Sequence, residues 1–96
     1  MKICLIGAGR IGVVHAIAIA SEESATLHSV VDLNHEAAEN LAKQYSADVL
    51  SMDEVFENSE IDAFIIASST ATHADLIEKC AQVSKPVFCE KPIDLS

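Results

Sequence analysis

Three groups of residues in this 96-residue chain have types and spacings that could do chemistry. The first is "GAGRIG", residues 7–12, which holds all three glycines of the chain: Gly7, Gly9 and Gly12. Average usage would supply about seven. The second is an isolated carboxylate, Asp32, which ends the apolar run "SVVD". The third is "CEKP", where Lys91 stands between Glu90 and Pro92 in a chain with only six Lys and Arg.

Each pattern has a chemical reading and a plain alternative. A G-x-G-x-x-G run between a strand and a helix turns the chain sharply at Gly7. It leaves no side chain between the backbone and a diphosphate at Gly9, and it lets helix and sheet approach closely at Gly12 and Ala16. Backbone N–H groups and the helix dipole then favour an anion, so Arg10, Ile11 and their neighbours become candidate cofactor-binding residues. The alternatives are an ordinary tight turn at the glycines and a solvated side chain at Arg10. A carboxylate in the position of Asp32 accepts hydrogen bonds from adenosine ribose hydroxyls and repels a 2′-phosphate. Leu33 and Asn34 supply no arginine to hold such a phosphate. NAD rather than NADP is therefore the expected cofactor. The alternative is that Asp32 helps to cap the next helix. A cation at Lys91, its direction fixed by the proline after it, could act on a bound ligand. Otherwise Lys91 is an exposed lysine before a turn.

The elements that must position these residues alternate along the chain. Short apolar strands are expected at 2–6, 26–32, 48–50, 62–68 and 86–90, with helices at 9–21, 34–46, 51–58 and 71–84. Asn34 is a plausible N-cap, and "SMDE" has the S-x-x-E form of a capping box. Strand followed by helix, repeated, marks parallel βαβ units with helices on both faces. The expected fold class is α/β, a Rossmann-type doubly wound parallel sheet of order 3-2-1-4-5. Asp32, the loop from Ser68 to His73, and Glu90 with Lys91 all fall at carboxyl ends of strands, where ligands bind in this class. His73 also reads as a first-turn helix residue. His15, His28 and His35 read as structural or solvated.

Composition excludes other classes. Fifteen Asp and Glu against six scattered Lys and Arg give a formal charge of −9, so nucleic acid is not an expected partner. No apolar run reaches the roughly 18–20 residues of a membrane span, and "MKICLIGAGR" is not a signal peptide. A cytoplasmic protein is expected. Cys4, Cys80 and Cys89 form no CxxC pair and read as small buried side chains, with no metal site.

With "GAGRIG", "VVD", "ASSTATHADLI" and "FCEKPIDLS" in this order and spacing, the whole chain resembles the glucose–fructose oxidoreductase/inositol dehydrogenase/rhizopine-catabolism (Gfo/Idh/MocA) family. "CLIGAGRIGVVHA", "STATHADLI" and "FCEKPIDL" are most similar to its inositol branch. The resemblance implies oxidation of a secondary alcohol of a cyclic polyol or sugar, with hydride passed to nicotinamide C4. It implies that Lys91 hydrogen-bonds the reacting hydroxyl and assists its deprotonation, and that Glu90 borders the nicotinamide side of the pocket. Ser68, Ser69, Thr70 and His73 would lie along the nicotinamide and its ribose. Two departures stand out. The β4 loop reads "SSTATH" where many members carry a proline, and Ser84 stands where a helix-ending glycine is usual.

Family members run to roughly three times this length. Residues 1–96 are thus expected to be an incomplete N-terminal dinucleotide-binding domain, truncated after the fifth strand. The C-terminal substrate domain and its general acid/base histidine would be absent. The chain alone would bind NAD without turnover. The alternative function is a non-enzymatic NAD-binding or subunit-pairing module. With the fifth strand at an edge, self-association is expected.

Overall fold

A computed structural model describes residues 1–67, 78, 80–83 and 85–89. Strand β1 (Lys2–Ile6) lies at the centre of a five-stranded sheet, between β2 (Thr26–Val31) and β4 (Ala63–Ile66). The edges are β3 (Asp48–Val49) and β5 (Val87–Cys89), giving the order β3-β2-β1-β4-β5. All pairings are parallel. The expected topology is therefore the observed one.

The strands are short and apolar because both faces of the sheet are covered. Side chains alternate across β1. Ile3 and Leu5 join Val30, Ala38, Leu41 and Ala16 in one core, while Cys4 and Ile6 join Val55, Phe64, Ile66 and Cys80 in the other. Helices α1 (Arg10–Ala20) and α2 (His35–Tyr45) supply the first core, and α3 (Met52–Glu57) and Cys80 the second. On α2 the buried Ala38, Leu41 and Ala42, with the partly buried Tyr45, recur at helical spacing and form its inward stripe.

Local signals set the element ends. The Asn34 side chain accepts from Ala37 N–H at the start of α2. Ser51 and Glu54 form the reciprocal capping box on α3, and hydrogen bonding from Ser51 holds the Glu54 carboxyl below the ordinary range. Helix α2 ends on Ser46 in the left-handed region at φ 56°, and Ala47 N–H reaches back to Ala42 C=O. The same six-residue closure joins Lys85 N–H to Cys80 C=O at 3.3 Å before β5. The α2 turn closes in the way glycine-ended helices do, with serine in the left-handed position.

The observed strands β2 and β3 each end one residue earlier than expected from sequence, β4 and β5 each begin one residue later, and β4 stops at Ile66. The residues trimmed at carboxyl ends, Asp32 and Ala67 among them, leave the ladder to enter loops. Most of the helix expected at 71–84 lies outside the described residues; residues 80–82 within it are helical. One irregularity had no sequence signal. The β1–β2 register steps from Ile3↔Leu27 to Cys4↔Ser29, so His28 is an extra residue, a bulge in a parallel pair. Among the described residues, no helix is long and apolar enough to cross a membrane.

Candidate functional site: the glycine loop at the carboxyl edge of the sheet

Strand register aligns the loop-bearing ends. Ile6 pairs with both Val31 and Ile66, and Ile66 pairs with Cys89, so four parallel strands finish on one edge. The chain leaves β1 at Gly7, whose φ of 112° is open to glycine and strained for any side chain. Gly7 N–H donates to Val31 C=O at 2.7 Å, tying the turn to the end of β2.

Gly9 is the N-cap of α1 and has no side chain to accept from the helix. Val13 N–H takes the Gly9 carbonyl at 2.9 Å, so the amides of Arg10, Ile11 and Gly12 precede the first intrahelical donor. No acidic side chain lies in this first turn. A Cβ on Gly9 would meet nothing within 4 Å, so the space before these amides is open. At Gly12 the reverse holds: a Cβ would fall inside the van der Waals envelope of the Gly7 carbonyl. Together these features leave a set of uncapped backbone donors at a helix N-terminus, the kind of site that favours an anion. The uncapped N-terminus of α1 and the close Gly12–Gly7 approach are compatible with a nicotinamide dinucleotide. Arg10 and Ile11 are exposed.

Asp32 sits beside this loop with both carboxylate oxygens engaged. Oδ2 accepts from Ala8 N–H at 2.6 Å, and Oδ1 accepts from Asn34 N–H at 2.8 Å. The expected capping alternative is thus present in part, since Asn34 is itself the N-cap of α2. Each oxygen keeps a second lone pair that a ribose hydroxyl could use. The bond to Ala8 was not foreseen, because residues 8 and 32 are brought together only by the fold.

The other sequence-predicted site residues, Ser68, Ser69, Thr70, His73, Glu90 and Lys91, lie outside the described residues. The histidines within them have ordinary surroundings. His28 Nε2 lies 3.4 Å from the Glu60 carboxylate and its Nδ1 3.1 Å from Ser29 Oγ. His35 pairs with Glu39 one turn along α2 at 2.9 Å. Cys4 and Cys80 are buried and form no disulfide. Burial pushes the Cys4 thiol up to about 12, partly offset by its hydrogen bond with Ser29. Lys85 was overlooked: its Nζ donates to Asn58 C=O at 2.7 Å and lies 5.9 Å from the Phe64 ring centroid. It holds the approach to β5 rather than a ligand.

Comparison with known proteins agrees with this geometry. The model of an oxidoreductase family, NAD-binding Rossmann fold (Gfo/Idh/MocA), matches residues 1–96. An inositol 2-dehydrogenase of Rhizobium meliloti is 48% identical over 91 residues, covering 95% of this chain and 28% of the relative. A crystal structure of a myo-inositol dehydrogenase from Corynebacterium glutamicum superposes with a TM-score of 0.91 at 43% identity, over 100% of this chain and 29% of the other. One from Lactobacillus casei, in complex with NAD(H) and myo-inositol, gives 0.87 at 26% identity over 96% and 28%. The chain thus spans less than a third of the length of these relatives. With a tight glycine turn between β1 and α1 and a family match along its whole length, the chain belongs to the Gfo/Idh/MocA oxidoreductase family and carries its NAD-binding Rossmann fold.

Proposed function

We propose that the chain is the NAD-binding part of a dehydrogenase that oxidises a secondary alcohol of a cyclic polyol, with inositol as the substrate. The observation that carries this reading is the pairing of the open, uncapped α1 N-terminus with high identity to an inositol 2-dehydrogenase along nearly the whole chain. Bound NAD supplies the hydride acceptor. Residues of this chain position that cofactor. The amides of Arg10, Ile11 and Gly12 hold the diphosphate, and Asp32 accepts from the adenosine ribose and disfavours a 2′-phosphate.

Lys91 follows β5 by two residues in the chain, and the loop from Ser68 to His73 follows β4. Both β4 and β5 end on the edge that carries the glycine loop, which supports a role beside the nicotinamide. In this reading the Lys91 ammonium hydrogen-bonds the reacting hydroxyl and stabilises its oxygen as negative charge develops. The walls that orient the substrate, and the base that takes its proton, belong to further polypeptide of the kind the longer relatives have. Residues 1–96 alone then bind NAD without turnover, because the reacting hydroxyl is not held in place. Self-association is part of the same reading, supported by the exposed Val14 and Ile17 on α1.

The test is turnover of the complete polypeptide with NAD and inositols, before and after Lys91→Met. The substitution should lower kcat by about 10²-fold or more and leave NAD affinity nearly unchanged. Unaltered turnover removes Lys91 from the chemistry, and absence of NAD-linked polyol oxidation overturns the function.

A further inference from the structure

We infer that Asp32 is a positioning residue for the diphosphate-binding loop, in addition to any contact with the ribose: its carboxylate sets the loop before cofactor arrives. Two consecutive amides of the loop are fixed by the end of β2. Gly7 N–H is bonded to the Val31 carbonyl at 2.7 Å and Ala8 N–H to Asp32 Oδ2 at 2.6 Å. Gly12 packs directly on the Gly7 carbonyl, so the first turn of α1 rests on the peptide that these bonds hold. Ala8 is itself buried, which makes its amide costly to leave without an acceptor. Asp32 is held from the other side by Asn34 N–H on Oδ1, so the carboxylate cannot swing away without freeing a second donor.

This arrangement requires a carboxylate. Two backbone donors converge on its two oxygens, and only an acceptor at both positions satisfies them. An asparagine offers one acceptor and turns an NH2 toward the other N–H. The hydrogen bonds to an ionised group are also the stronger kind. A residue that merely recognised a ribose would contribute nothing to binding a cofactor without ribose hydroxyls. A residue that sets the loop contributes to binding any ligand whose diphosphate sits there. The inference rests on the reading that NAD binds with its diphosphate on this loop.

The experiment titrates wild-type protein and Asp32→Asn with NAD and with an NAD analogue lacking the 2′ and 3′ hydroxyls of the adenosine ribose. Amide exchange of Ala8 is followed in the cofactor-free proteins. The analogue should bind the variant about tenfold or more weaker than it binds the wild type, and Ala8 should be protected in the wild type and lose protection in the variant. Equal binding of the analogue to both proteins overturns the proposal, because Asp32 then acts through the ribose alone. Rapid exchange of Ala8 in the wild type overturns it even if the variant does not fold. Wild-type protein that binds no NAD overturns the underlying cofactor reading, and this inference with it, whereas wild-type NAD binding with equal analogue affinities sinks only the inference.

Discussion

Cys4 lies in the middle of β1, enclosed on all sides, with Ser29 as hydrogen-bond partner and Cys80 and Lys85 within electrostatic reach. Burial penalises its thiolate and lifts the thiol from 9.0 to about 12. The thiol is therefore neutral and unreactive at physiological pH, which fits a packing role. Its pH-dependent effect on stability appears only in alkali. Below about pH 9 the thiol is protonated whether the chain is folded or unfolded, and it contributes no pH dependence. Between about 9 and 12 the unfolded thiol ionises while the folded one does not, so the unfolded state gains. Stability should then fall by up to about 1.4 kcal/mol per pH unit from this group. Other groups titrate in the same range, so the informative quantity is a difference. Urea midpoints at pH 8 and pH 10.5 should drop further for the wild type than for Cys4→Ala. Equal drops would clear Cys4 of any part in alkaline unfolding.

At the scale of elements, α1 and β1 meet where Gly12 touches the Gly7 carbonyl. Alanine is the better helix former by about 1 kcal/mol. It nevertheless places a methyl group where there is backbone, and backbone cannot rotate out of the way. Gly12→Ala should therefore destabilise by about 1–3 kcal/mol, read as a lower denaturation midpoint, and should weaken NAD binding because α1 is pushed off the loop. A neutral Gly12→Ala would mean that the helix slides without consequence. This contact was legible in the sequence because glycine is scarce here and its spacing encodes the approach. The alternating elements, the Asn34 cap and the Ser51–Glu54 box were legible for the same reason: each is a local pattern with a local cause. The His28 bulge, the Lys85 bond to Asn58 and the Asp32 bond to Ala8 were not. Each joins residues more than twenty positions apart, and no spacing rule on one segment carries information about the other. The ending of α2 on Ser46 was hidden differently, since a serine in the left-handed region leaves no mark that distinguishes it from a serine elsewhere.

For the whole molecule, the question is how a chain of formal charge −9 accommodates a cofactor with a negatively charged diphosphate. In the proposed binding mode the attraction is short-ranged: amides at the α1 N-terminus would act within the first turn and at hydrogen-bond distance. The repulsion is long-ranged, being the summed field of fifteen carboxylates against six cations. Salt separates the two. Raising ionic strength from about 10 mM to 150 mM shortens the screening length from about 30 Å to about 8 Å. It should remove most of the repulsion and leave the contact hydrogen bonds intact. NADH affinity of the 96-residue chain should therefore hold or rise a few-fold across that range, opposite to the fall seen when a basic patch drives binding. NADH, with one more net negative charge than NAD, should show the larger change. The exposed guanidinium of Arg10 is the cation nearest the loop in sequence, and it makes the prediction discriminating. If affinity drops steeply with salt, and Arg10→Gln abolishes that drop, then a cation–phosphate contact outweighs the helix N-terminus, and the division of labour between dipole and side chain must be redrawn.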